Sequence, residues 1–132
     1  MNEIEKYNTT IFESVKHIDE NGLEYWEARE LMKVLEYNKW ENFHKVIKKA
    51  MVACEMSNNK SFEHFPEFRK PIKGGNGNVQ NVMDYKLSRY ACYLIVQNGN
   101  PNKEVIALAQ TYFAIQTTKQ LREYILIFLF LF

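Results

Sequence analysis

Apolar residues recur along this chain with two periods, and the switches between them mark its elements. Residues 14–18 and 23–26 flank Asn21-Gly22, a dipeptide that readily supplies two φ > 0 residues, so a short hairpin is expected there. Ala28, Leu31, Met32 and Leu35 then stand at i, i+3, i+4 and i+7, on one face of a helix. Glu36-Tyr37-Asn38 interrupts the pattern. From Lys39 to Cys54 it resumes, with Phe43, Val46, Ile47, Ala50, Met51 and Cys54 at helical spacing, the clearest amphipathic helix in the chain.

Beyond a polar stretch at 57–61, residues 62–72 and 79–87 read as the arms of a second hairpin with a long, mobile tip, Lys73-Gly74-Gly75-Asn76-Gly77-Asn78. Leu87, Tyr90, Ala91, Leu94 and Ile95 restore the helical period, and Asn98-Gly99 offers the left-handed residues that commonly end a helix. Asn100-Pro101 is expected to cap the next helix, with Pro101 in its first position. That helix, Asn102 to Tyr124, carries Val105, Ile106, Ala109, Tyr112, Phe113 and Gln116 along its inward stripe. The fold class is therefore α+β: two short β-hairpins, about four helices, and a helix-turn-helix-like pair near the N-terminus.

At 132 residues the chain suits one domain, 1–123, followed by an apolar tail, 124–132. A bilayer span needs about 20 apolar residues, so the tail is too short to cross a membrane. It is either a helical extension that docks on another chain or an end that is not native sequence. In the first case Ile125, Phe128, Leu129 and Phe132 form one buried stripe between two copies, while Ile127, Phe130 and Leu131 face elsewhere.

Composition narrows the function classes. Hydrophobic residues make up 46% and charged residues 25%, the balance of an ordinary globular protein. Cys54 and Cys92 have no CxxC partner and lie in apolar helical patterns, so reduced, buried thiols are expected. The N-terminal residues lack the features of a secretion signal, which points to the cytoplasm. The net charge of +1 is unevenly spread: residues 1–35 carry four basic and eight acidic side chains, residues 36–75 eight and five. The overall balance is not that of a strongly basic nucleic-acid binder, yet the central segment has a local cationic excess.

No constellation of catalytic residues emerges. His17, His44 and His64 match no metal spacing, and the glycines of the second tip match neither nucleotide fingerprint. Glu63, Glu67 and Asp84 are better read as solvated strand carboxylates than as an acidic metal cluster. Neither a cofactor, a metal nor an enzyme activity is expected. Binding features are stronger. Lys39, Lys45, Lys48 and Lys49 lie on or beside the polar face of the second helix of the helix-turn-helix-like pair, within reach of phosphates. Arg69, Lys70 and Lys73 run up the second hairpin toward its Gly/Asn tip.

The run Tyr25-Trp26-Glu27-Ala28-Arg29-Glu30-Leu31-Met32-Lys33-Val34-Leu35-Glu36-Tyr37, continuing through Trp40-Glu41-Asn42-Phe43, resembles the DNA-damage-inducible protein D family. So do Asp84 to Pro101 and Gln110 to Thr117. The resemblance covers about residues 12–120, and its N-terminal part is similar to the Bro-N domain of phage antirepressors and viral DNA-binding proteins. It implies a DNA-damage (SOS) response protein whose domain contacts DNA or a DNA-bound repair protein such as a RecA-type recombinase. Members of the family continue into a charged, helical C-terminal region, so the chain reads as a fragment. Where Bro-N relatives often carry a glycine, this chain has Glu36, which argues against a tight turn. The resemblance also draws attention to Ser88-Arg89-Tyr90 and Gln116-Thr117, polar residues within patterned helices; Arg89 is expected to face outward, where it joins the DNA contacts. An alternative partner surface is the aromatic group Trp26, Tyr37 and Trp40, suited to a recombinase filament or a second copy of the chain.

Overall fold

A computed structural model describes residues 11–131, without the side chains at 116–118, 120, 124 and 131. Strands β1 (Lys16–Ile18) and β2 (Glu24–Glu27) pair antiparallel, with Lys16 opposite Trp26. The turn between them is organised by Asp19, whose carboxylate accepts from the backbone N–H of Asn21 and of Leu23 at 2.8 and 2.9 Å. Of the expected pair, Gly22 alone takes a positive φ, +81°. Asp19 supplies acceptors for the turn donors, so a longer connection forms in which one left-handed residue suffices.

Helix α1 (Ala28–Val34) follows β2 directly and buries Ala28 and Leu31, with Leu35 just beyond its end. Glu36 then adopts φ +63°. Its N–H donates to Lys33 O, and the N–H of Tyr37 reaches back to Met32 O, so two orphan carbonyls of the helix end are satisfied. A tight turn thus forms with glutamate where a glycine was expected to be needed. The left-handed conformation costs a non-glycine residue about 1–2 kcal/mol. Lys103 helps to hold it, donating from Nζ to the carbonyls of Leu35 and Glu36 at 3.2 and 2.7 Å. Helix α2 (Trp40–Met56) buries Phe43, Ile47, Ala50 and Cys54 and ends the same way at Asn58, φ +62°.

The segment expected to open the second hairpin begins instead with one helical turn, α3 (Ser61–His64), above the buried Phe65. Strand β3 (Glu67–Lys73) starts only after Pro66 and pairs antiparallel with β4 (Val79–Leu87). The two hairpins are not separate. Strand β2 pairs with the end of β4 at Trp26↔Leu87 and Glu27↔Lys86, giving one four-stranded sheet in the order β1-β2-β4-β3.

Ser88 caps helix α4 (Arg89–Gln97), accepting from the Ala91 N–H at 3.0 Å. The helix ends without a left-handed residue: Asn98 has φ −93°, and Gly99 serves a close approach, since a Cβ there would stand 2.9 Å from the Ile106 side chain. Asn100 accepts from the N–H groups of Asn102 and Lys103, so Pro101 sits in a turn ahead of helix α5 (Glu104–Leu131), not in its first position. The first turns of α5 bury Ile106, Ala109, Tyr112 and Phe113, where Phe113 meets Trp26 edge to face and Phe12 stacks on Tyr112. Further along, Leu121 and every described residue from Ile125 to Phe130 are exposed. Among the described residues no helix is long and apolar enough to cross a membrane.

Candidate nucleic-acid interface

The solvent face of α2 carries Lys45, Lys48 and Lys49, all exposed, with Lys39 exposed just before the helix. They face outward because Phe43, Ile47, Ala50 and Cys54 hold the opposite stripe against the body. Beside this face stands the β3–β4 hairpin. Its contact with α2 is an aromatic junction: His44 Nε2 and the Tyr85 hydroxyl are 2.8 Å apart, Trp40 stacks on His44, and the Arg29 guanidinium lies 4.2 Å from the centre of the Trp40 ring. Arg29 also donates from Nε to Met83 O, locking α1 to β4.

Glu67 lies opposite Tyr85 in the ladder. Strand alternation therefore puts Glu67, Arg69, Pro71 and Lys73 on the side of the hairpin that meets His44. The electrostatics agree. Burial pushes the His44 imidazole below its ordinary pKa, Lys48 and Arg29 push it further down, and Glu67 opposes them. Lys48 of the helix and Glu67 at the root of the hairpin thus act on one group, and Arg69 and Lys73 continue outward from Glu67 on the same side of the ribbon. Arg69 and Lys73 are exposed. Among the described residues neither they nor Lys45, Lys48 and Lys49 form an ion pair.

Two of the expected phosphate contacts are engaged elsewhere. Lys70 points to the other side of the hairpin and pairs with Glu27, an interaction that outweighs burial and raises its pKa. Arg89 faces inward, not outward. It is 7% exposed, donates from Nε and Nη2 to the Glu24 carboxylate at 2.6 and 2.7 Å, and lies over the Trp26 ring. The buried stripe of α4 is Arg89, Cys92 and Val96 with Ala91 and Ile95, whereas Tyr90 and Leu94 are half-buried, so the inward face is turned by about one residue from that expected. A salt bridge to a strand 65 residues earlier gives no periodic signal.

Of the three aromatic residues of the alternative partner surface, Trp26 is buried and Tyr37 and Trp40 are half-buried. Trp26 is 0% exposed and donates from Nε1 to Phe12 O. Tyr37 packs on Phe43 under the Lys103 ammonium, and Trp40 belongs to the junction just described. Of the tail residues, Ile125, Phe128 and Leu129 are exposed, and Phe132 lies outside the described residues, as do the side chains of Gln116 and Thr117.

Glu63, Glu67 and Asp84 are not brought together as ligands. Asp84 is buried and accepts from the backbone N–H of Arg29 at 3.0 Å, capping α1 from another strand because Glu27 makes no cap of its own. Burial raises its carboxyl pKa, while the Tyr85 and Arg29 N–H groups pull it back down. Among the described residues the one His/carboxylate group with ligand-like spacing is His17, Glu27 and Glu30, which sequence reading missed. Its members already engage one another and Lys70: His17 Nε2 lies 2.5 Å from Glu30 Oε1, and Lys70 pairs with Glu27.

Residues 14–114 match the BRO family, N-terminal domain (Bro-N), and the chain belongs to that family. The match ends at Ala114, directly after Phe113, the last buried residue of α5 among those described. More particularly, the chain is similar to DNA damage-inducible protein D of Escherichia coli (strain K12), with 49% identity over 109 residues, or 83% of this chain. The chain spans 40% of that relative's length. No solved structure matches it.

Proposed function

We propose that this chain is a cytoplasmic DNA-binding regulatory domain of a DNA-damage-response protein, modulating recombination or repair without catalysing a reaction. The similarity to a protein named for DNA damage supports the setting. The observation that carries the binding itself is a cationic surface made of Lys45, Lys48 and Lys49 on α2 and of Arg69 and Lys73 on the ribbon that meets α2 at His44, all exposed and without ion pairs among the described residues. Such a face neutralises phosphates and releases their counterions. Fluorescence anisotropy over a salt series tests it. The Lys45→Ala/Lys48→Ala/Lys49→Ala variant keeps its fold, loses affinity, and shows a log–log salt slope shallower by about 3, one per lost phosphate contact. Unchanged affinity at low salt overturns the helical contact.

The exposed apolar end of α5 favours a second reading, a protein-interaction module. Ile125 is 58% exposed and Phe130 89%. A helix apolar on all sides needs a cover against water, and a second chain is one that can supply it. Self-association through this helix is the first expectation; a RecA-type recombinase filament is the alternative partner. Light scattering decides: the full chain forms oligomers and a chain ending at Glu123 is monomeric, whereas two monomers eliminate self-association.

A further inference from the structure

The β3–β4 hairpin is longer than the body needs. Residues 71–81 are all exposed, yet the ladder stays in register to its end, with Pro71 opposite Asn81, Ile72 opposite Gln80 and Lys73 opposite Val79. The tip is closed by hydrogen bonds from Gly74 N to Asn78 O, Gly77 N to Gly74 O and Asn78 N to Asn76 Oδ1, with Gly77 at φ +84°. From Glu67 to Lys73 the strand reaches about 20 Å at 3.4 Å per residue. An isolated two-stranded ribbon is only marginally stable in water, so one held clear of the core is suited to gaining its order from an outside surface.

Its chemistry limits what that surface is. Between Glu67 and Asp84 there is no carboxylate, while Arg69 and Lys73 supply two cations besides Lys70, which Glu27 engages, so the complementary surface is anionic. Pro71 removes a ladder donor from the outer strand, so addition of another β-strand along that edge is blocked. No aromatic residue occurs from Arg69 to Asp84, and single-stranded nucleic acid is usually held by stacking its bases on aromatic rings. A duplex needs no such platform, and its major groove admits a two-stranded β-ribbon. On the face shared with Tyr85 and α2, the ribbon presents Arg69, Lys73 and Asn81. A guanidinium matches guanine O6/N7, and a carboxamide matches adenine N6/N7.

We propose that the β3–β4 ribbon is an arm that enters the major groove of double-stranded DNA and reads base edges through Arg69 and Asn81, while the α2 lysines grip the flanking phosphates. The assignment rests on the DNA-binding function proposed above and adds to it the strandedness of the DNA and the residues that read sequence. Three preparations of the whole chain separate the two levels: the unaltered chain, Arg69→Ala/Asn81→Ala, and Lys45→Ala/Lys48→Ala/Lys49→Ala. Each is titrated against a labelled duplex and its single strand, and each is used to select from a random-sequence duplex pool. The unaltered chain is expected to bind the duplex at least about tenfold more tightly than the single strand and to enrich a preferred site. Arg69→Ala/Asn81→Ala lowers the ratio of preferred to random duplex by about tenfold or more, the scale of losing one bidentate base contact. The lysine variant weakens all duplexes alike and leaves that ratio unchanged. Single-stranded DNA bound as well as duplex, or a site preference that survives Arg69→Ala/Asn81→Ala, overturns the arm while leaving DNA binding in place. Failure of the unaltered chain to bind either DNA removes the DNA-binding function itself, and the arm with it.

Discussion

Strand β4 passes through two environments, and its ends obey different rules. At its base, Asp84, Tyr85 and Leu87 are buried, and the charges nearby are consumed by partners: Asp84 caps α1, Arg89 clamps Glu24, and Lys70 answers Glu27. At its outer end, Val79, Gln80 and Asn81 are exposed, and the exposed cations of the partner strand, Arg69 opposite Met83 and Lys73 opposite Val79, form no ion pair among the described residues. An arginine at the base and an arginine on the arm therefore do unlike work. Desolvation makes an unpaired charge costly inside the body and nearly costless on the arm. Charge counted along the chain does not distinguish the two; burial does.

The contrast is broken most directly at Arg89. Arg89→Ala removes the two charge-assisted bonds to Glu24, leaving Lys16 at 3.8 Å from that carboxylate, and takes the guanidinium off Trp26, and is expected to lower unfolding free energy by about 2–4 kcal/mol. Arg69→Ala, the same change on the arm, stays within about 0.5 kcal/mol. Urea titration of the two variants compares them, and equal midpoints would abolish the distinction between base and arm.

A smaller effect is expected at Asp84. Its replacement by alanine leaves the Arg29 N–H at the start of α1 without its acceptor and costs about 1–2 kcal/mol. Asp84→Asn keeps a side-chain oxygen for that bond and recovers most of the loss in the same titration. If both variants unfold alike, the cap across strands contributes nothing.

The smallest effect lies at the junction between the two regions. Because His44 titrates below its ordinary value near 6.5 in the fold, mainly through burial and then through Lys48, the unfolded chain takes up its proton first as pH falls. Its contribution to stability is present above that ordinary value and is lost as pH falls through the lowered folded value. Thermal melts across this range should show a decline that His44→Gln flattens. A parallel decline in both proteins would place the sensitivity elsewhere, with Glu13 an unsuitable source in that window because its pKa is lowered from an already acidic value, the Lys16 and Tyr112 contacts outweighing burial.

Much of the architecture is visible in spacing alone. The stripes of α1 and α2 and the positions of both hairpin turns follow from periodicity and turn chemistry, which act over a few residues. The exposed lysines of α2 are legible for the same reason: once Phe43, Ile47, Ala50 and Cys54 define the inner stripe, Lys45, Lys48 and Lys49 have to face out. The turn at Gly22 is legible too, but its companion Asn21 is not left-handed, because Asp19 changes how the turn donors are satisfied.

The sequence by itself determined the α+β class, the family, and the outward basic face of α2, all of which rest on short-range patterns. Only the tertiary structure decided that the two hairpins form one sheet, that Asp84 caps a helix 55 residues away, and that Arg89 turns inward to Glu24. The physical reason is common to all three. A polar group at these positions is settled by the donor or acceptor that the fold brings to it, and that partner comes from a distant part of the chain, beyond the reach of any local period.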